Sequence, residues 1–130
     1  MQMIIIILGV LCLVFFIENA RELRTFRIRT YRIFSHKLKG IQKKRIVFLS
    51  DLHNCSYGKN NGRLLAAVRR SRPDLILIGG DMLVRKNGTS YAKTLKFLIR
   101  LTAMCPVYYA NGNHEQKLKE EPERYEQSYA

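Results

Sequence analysis

Three short motifs of this 130-residue chain combine side chains that bind metal ions. They are "SDLH" at residues 50–53, "GGD" at residues 79–81 and "NGNHE" at residues 111–115. Carboxylate, imidazole and amide oxygen together suit borderline to hard divalent ions such as Mn, Fe, Zn or Mg. The cysteines are scattered and form no C-x-x-C pair, so neither a structural zinc site nor a disulfide framework is indicated. The motifs supply five candidate site residues: Asp51, His53, Asp81, Asn113 and His114.

The spacing within each motif has a physical reason. Residues i and i+2 of an extended segment point to the same side, so Asp51 and His53 are predicted to grip one ion while Leu52 turns into the core. The glycines of "GGD" and "NGNH" permit tight turns and close backbone approach. Each motif alone is a weak signal, since D-x-H and G-G-D are mostly polar turns and G-N-H-E can simply begin a helix. Their combination indicates a metal site.

Buried strands must position these motifs, because each motif follows an apolar run: "RIVFLS", "DLILIGG" or "VYYAN". Two stretches with helical periodicity, "RLLAAVRR" and "YAKTLKFLIRLT", lie between the runs. The residues predicted on their buried faces are Leu64, Leu65 and Val68 in the first and Leu95, Leu98 and Leu101 in the second. The order β-α-β-α-β predicts an α/β fold with a parallel sheet. Ligands bind at the carboxyl ends of such strands, so the motifs are expected to converge there.

The N-terminal stretch at residues 3–17 is uninterrupted apolar sequence. It is shorter than the roughly 17–25 residues of a spanning helix, but the uncharged Met1 and Gln2 extend it. A secretory signal is the alternative, which we disfavour because no Lys or Arg precedes the run and no small residue is placed for cleavage before Arg21. We expect a retained single-pass anchor at residues 1–20, in contact with membrane lipid.

Positive charge is concentrated directly after this stretch. The formal net charge is +13, and residues 21–45 hold ten Lys or Arg against one acid. This distribution predicts a cell-membrane protein with its domain on the cytoplasmic side, and the cluster can lie against anionic headgroups. Alternating basic and apolar residues in "ELRTFRIRTYRIF" predict an extended edge strand. Nucleic acid is not an expected partner, because the charge lies beside the anchor and no nucleic-acid-binding motif is present.

In this order the motifs resemble the calcineurin-like metallophosphoesterases, whose pattern runs D-x-H, then G-D, then G-N-H followed by Asp or Glu. "SDLH", "GGDM" and "GNHE" match it, and the apolar, basic start resembles the membrane-anchored bacterial branch of that family. The resemblance implies hydrolysis of a phosphomonoester or phosphodiester substrate at a site of two divalent metal ions. The implied roles are first-metal binding by Asp51 and His53, bridging by Asp81, second-metal binding by Asn113, catalysis by His114, and orientation of His114 by Glu115.

Family members continue to a further histidine and a G-H-x-H segment, whereas residues 115–130 contain no histidine. We therefore expect the N-terminal portion of an enzyme, with half of the sheet sandwich and no assured activity alone. The expected organisation is an anchor at 1–20, a basic segment with an edge strand at 21–44, a partial metallophosphoesterase domain at 45–116 and a polar tail at 117–130. The competing hypothesis is a non-catalytic basic module that binds an anionic membrane surface or nucleic acid.

Overall fold

The computed structural model describes residues 2–22, 24–38, 40, 43–86 and 90–121. The chain divides into two compact units, Met1–Arg32 and Ile33–Ala130. The first unit begins with helix α1, Gln2–Glu22, in which no residue is buried. By length and composition α1 fits either a membrane span or a signal sequence.

The segment that follows α1 differs from its prediction. Residues 24–35 contain no strand, so the edge strand expected from "ELRTFRIRTYRIF" is not formed. Alternating polar and apolar residues favour an extended chain, but a strand also needs a hydrogen-bonded neighbour. Within the described part of the chain, the sheet consists of three other strands. A 3₁₀ helix then covers His36–Leu38.

The second unit is built around three parallel strands in the order β1-β2-β3. Their bounds are Ile46–Leu49 for β1, Leu75–Ile78 for β2 and Val107–Tyr109 for β3. Helix α2, Gly62–Ser71, connects β1 to β2 and is preceded by a 3₁₀ helix, Lys59–Asn61; helix α3, Ala92–Thr102, connects β2 to β3. The predicted α/β class, with a parallel βαβαβ core and an N-terminal apolar helix, is confirmed.

The first connecting helix agrees with its sequence pattern in both its buried face and its end. Leu64, Leu65 and Val68 are all buried, as predicted. The helix ends at Ser71, and Arg72 leaves the right-handed region with φ of 48°. Proline disfavours the α conformation in the residue before it, and Pro73 follows directly.

The second connecting helix is rotated relative to its prediction. Its buried residues are Thr94, Phe97 and Leu101, whereas Leu95 is 42% exposed. The burial of Thr94 explains the error, because a hydroxyl is tolerated in a core when it is hydrogen-bonded. Thr94 Oγ1 donates to Oδ1 of Asn54 at 2.6 Å. A pattern that counts only apolar residues therefore selects the neighbouring face.

A further helix, α4, covers Asn113–Glu120. A polar tail was predicted at 117–130, but its first residues belong to α4. One of them, Leu118, is apolar and is buried in a cluster with Leu83 and Tyr91. That one side chain fixes the second turn of α4 to the domain. Residues 122–130 lie outside the described residues.

Candidate metal centre

All three motifs lie at the carboxyl edge of the sheet, because the last residues of the three strands are paired in register. Leu49 pairs with Ile78, and Ile78 pairs with Tyr109. The loops after these residues therefore start from one row of the sheet. This is the edge at which open α/β proteins bind ligands.

Backbone hydrogen bonds between the first two motifs continue past the ends of β1 and β2. The amide of Asp51 donates to the carbonyl of Gly80 at 3.1 Å, and the amide of His53 donates to the carbonyl of Asp81 at 2.9 Å. These bonds fix the "DLH" loop against the "GGD" loop. The backbone segments that carry these candidate ligands are therefore held together by main-chain hydrogen bonds.

The "DLH" motif reaches this position through left-handed backbone, not through the extended segment that its spacing predicted. Asp51 and His53 have φ of 58° and 46°, and Asp81 has φ of 53°. Such conformations cost of order 1–3 kcal/mol in non-glycine residues and persist where the surrounding structure enforces them, often at functional sites. The inward turn of Leu52 is confirmed, since that side chain is 5% exposed.

The side chains of the first two motifs converge. Asp51, His53 and Asp81 each offer a ligand atom, and the three atoms lie within 4.8 Å of one another. Nε2 of His53 is 3.7 Å from Oδ1 of Asp51, and Ser50 Oγ donates to Oδ2 of Asp51 at 2.5 Å. Metal–ligand distances of about 2.0–2.2 Å let two ligands of one ion lie about 4 Å apart. Two carboxylates and an imidazole at this spacing fit a divalent ion.

The second and third motifs approach so closely that two positions require glycine. Gly80 has φ of 89°, and a Cβ there would stand 2.5 Å from Cα of Gly112. A Cβ at Gly112 would in turn stand 2.5 Å from the carboxylate carbon of Asp81. The amide of His114 donates to Oδ1 of Asp81 at 2.9 Å. Asn113 lies between Gly112 and His114 in the chain, and both of these neighbours approach Asp81.

Glu115 connects the second and third motifs through its carboxylate. Its Oε2 accepts from the amides of Asp81 at 2.8 Å and Gly112 at 2.9 Å, and its Oε1 accepts from the amide of Leu83 at 2.9 Å. Burial opposes ionisation, but these bonds and one from the Tyr109 hydroxyl outweigh it, so the pKa of Glu115 lies below its ordinary value. Its contacts hold the two loops together.

Tyr109, the last residue of β3, completes this arrangement. Burial, the charge of Glu115, the hydrogen bond to Glu115 and the charge of Asp81 all raise the pKa of Tyr109. The hydroxyl therefore stays protonated and donates to the carboxylate. A tyrosine next to the third motif carries little sequence signal of this role, because strand residues usually serve packing.

The ring of His114 lies beside the candidate ligands. Its centroid is 5.0 Å from that of His53, with the two planes at 79°. The backbone amide of Arg85 donates to Nδ1 of His114 at 3.1 Å. Because Nδ1 accepts this bond, the neutral ring carries its proton on Nε2. The hydrogen-bond partner of the ring is a main-chain amide, so the residue type at position 85 gives no sign of it.

Asn54 is a further site residue that the sequence pattern missed. Its Nδ2 donates to the carbonyl of Ser90 at 3.1 Å, and its Oδ1 accepts from Thr94. These bonds attach the loop that carries His53 to the start of α3. An asparagine directly after a candidate ligand is a signal that could have found it, because its short amide side chain suits such loop anchoring.

Comparison with known families agrees with this geometry. The family model of the calcineurin-like phosphoesterases matches residues 44–130, which is more than half of the chain. The chain belongs to the calcineurin-like phosphoesterase family. No curated protein and no solved structure matches it significantly.

Membership of the calcineurin-like phosphoesterase family suggests a hydrolase that acts on phosphoester bonds. The three-stranded parallel sheet with its helices is consistent with the N-terminal half of the fold of this family. The match begins at residue 44, so it contains all three motifs and excludes α1. The cluster of Asp51, His53 and Asp81 is a donor set for the divalent ions that the family typically binds.

Proposed function

We propose that this protein hydrolyses a phosphomonoester or a phosphodiester with two divalent metal ions. The observation that carries the proposal is the convergence of Asp51, His53 and Asp81 within 4.8 Å at the carboxyl edge of the sheet. Membership of the membrane-anchored bacterial branch belongs to the same proposal. It is supported by the apolar helix α1 and the basic residues that follow it.

The proposed ligands divide between the two ions. Asp51 and His53 would hold the first, Asp81 would serve both, and Asn113 would offer an amide oxygen to the second. This set of carboxylates, imidazole and amide suits Mn, Fe, Zn or Mg. Bound ions of this kind polarise a phosphoryl group and activate water.

His114 is the proposed catalytic residue because its ring lies at the site while its backbone, not its ring, contacts Asp81. With Nδ1 accepting from Arg85, the Nε2–H group remains as the donor. A donor in this position stabilises the negative charge that develops on a phosphate in the transition state, or protonates the leaving oxygen. Glu115 acts indirectly, by holding the loops of Asp81 and Gly112 together.

We propose that the chain is organised in four segments. They are an anchor at 1–20, a basic juxtamembrane segment at 21–44, the phosphoesterase domain at 45–116 and a polar C-terminal segment at 117–130. The anchor is a single span of the cell membrane, and the domain lies on the cytoplasmic side. Support for that sidedness is the excess of Lys and Arg after α1.

The test measures hydrolysis of para-nitrophenyl phosphate and of the bis(para-nitrophenyl) diester by the protein in the presence of Mn²⁺. His114→Ala is expected to lower turnover about hundredfold or more, the range for a positioned acid, with metal content nearly unchanged. Gln116→Ala is the matched control, because that side chain is exposed on the same helix and bonds to Glu120.

Each other result has a defined meaning. Wild-type turnover in His114→Ala would make His114 a structural residue. Loss of metal in proportion to activity would make it a ligand. Absence of hydrolysis by the wild-type protein with Mn, Fe, Zn and Mg would contradict the proposed function.

A further inference from the structure

A strongly charged surface lies in the first unit, whereas the residues of the candidate metal centre belong to the second. We name residues 24–32, "RTFRIRTYR", the arginine segment. Its four arginines are all exposed: Arg24, Arg27, Arg29 and Arg32. Within the described residues none of the four forms an ion pair. The arginine that precedes them, Arg21, pairs with Glu18 at 2.8 Å. Four positive charges are therefore available to an external partner.

Two large side chains that lie between these charges, Ile28 and Tyr31, are also exposed. Ile28 is 61% exposed and Tyr31 is 82% exposed. Within the described residues the arginine segment contains no strand, so it is not part of the sheet. Exposed aromatic and aliphatic groups among cations match the boundary between lipid headgroups and acyl chains.

We propose that the arginine segment lies flat on a bilayer and binds the phosphate groups of anionic lipids. The inference rests on the proposed membrane span, because α1 ends at Glu22 and Arg24 follows two residues later. Because a spanning helix ends near the headgroup region, the arginine segment that follows it begins there.

The reach of the chain decides the orientation of the segment. Nine residues extend at most about 30 Å, whereas the field of a charged membrane decays over about 8 Å at physiological salt. A segment that pointed away from the surface would take Arg29 and Arg32 out of that field. A flat segment keeps all four guanidinium groups in it and also removes Ile28 and Tyr31 from water.

The type of cation supports lipid phosphate as the ligand. The arginine segment contains arginine and no lysine. A guanidinium group binds phosphate through two parallel hydrogen bonds and is more weakly hydrated than an ammonium group. Arginine and tyrosine also suit single-stranded nucleic acid, but the adjacency to α1 favours lipid.

The experiment uses the absence of tryptophan from the chain. Tyr31→Trp then introduces one indole into the full chain, which is reconstituted into vesicles of phosphatidylcholine alone or with phosphatidylserine. Brominated lipids quench an indole that enters the interface. We expect severalfold stronger quenching in the anionic vesicles, and its loss in 1 M salt, where the screening length falls to about 3 Å.

Two charge variants in the Tyr31→Trp background locate the effect. Replacing the four arginines of the segment by glutamine is expected to reduce quenching to the level of the zwitterionic vesicles. The matched control replaces four exposed arginines of the second unit and should keep the quenching; they are Arg63, Arg69, Arg70 and Arg100.

Three outcomes would overturn the proposal in distinguishable ways. Protein that does not float with the vesicles shows that the proposed span itself fails. Protein that floats with equal quenching in both vesicle types, or with none, shows that the segment does not bind anionic lipid. Release of the quenching by added RNA at matched phosphate concentration would assign the segment to nucleic acid instead.

Discussion

At the residue scale, one carboxylate organises the candidate metal centre without being one of its ligands. Glu115 accepts hydrogen bonds from three backbone amides that belong to two different loops. Asp81 is thereby held through its amide by Glu115 and through its carboxylate by the amide of His114. The position of the central candidate ligand thus depends on α4.

Replacing Glu115 by glutamine should destabilise the protein by about 1–3 kcal/mol, because the amide NH₂ group would face a backbone N–H that is then left without an acceptor. Thermal unfolding followed by circular dichroism would measure the change. Glu120→Gln is the matched control on the same helix, because its exposed side chain accepts a hydrogen bond from Gln116, and it should unfold like the wild type. Equal midpoints for both variants would contradict the role assigned to Glu115.

Residue identities in the first two motifs sufficed to predict which of their side chains meet. Asp51, His53 and Asp81 were predicted to converge, and they do. The sequence did not predict the left-handed backbone of the "DLH" loop, because the side-chain spacing of an extended segment and of this turn both place two ligands together. It also could not reveal the amide of Arg85, since every residue except proline has one.

At the element scale, the site depends on how closely the loop after β2 approaches the start of α4. The three strands, their parallel direction and both connecting helices follow from apolar and periodic runs of the right length. The buried face of α3 was predicted correctly only at Leu101, because Thr94 becomes a core residue through its bond to Asn54. That bond joins residues 40 positions apart in sequence, whereas the periodicity of a helix depends only on residues a few positions apart.

Gly80→Ala tests the close approach of these two loops. Alanine at φ of 89° costs at least about 1 kcal/mol in backbone energy, and its Cβ would also meet the backbone of Gly112. We expect a lower unfolding midpoint and weaker Mn²⁺ binding. Gly62→Ala is the control, since φ is −59° there and a Cβ would meet nothing within 4 Å. A Gly80→Ala protein with wild-type stability and metal affinity would show that the loops do not need this contact.

At the scale of the whole molecule, the chain joins an apolar helix to a phosphoesterase domain. The basic residues between them predict that the domain faces the cytoplasm. Cys55 is exposed beside the candidate metal centre and offers a probe of that prediction. A membrane-impermeant thiol reagent added to intact cells should leave Cys55 unmodified and should modify it after permeabilisation. The Cys55→Ser variant identifies any labelling of the other cysteines. Labelling of Cys55 in intact cells would show that the domain is not on the cytoplasmic side.

The central claim is that the carboxyl edge of the sheet binds divalent metal through Asp81. Titration of the protein with Mn²⁺, followed by electron paramagnetic resonance of the free ion, measures this directly. We expect Asp81→Asn to lose more affinity than the roughly 10–100-fold typical of residues that only support a ligand. Asp74→Asn should bind like the wild type, because Asp74 lies at the opposite end of β2 and bonds to the amide of Arg45. If Asp81→Asn binds Mn²⁺ as tightly as the wild type, the metal is elsewhere and the account is wrong.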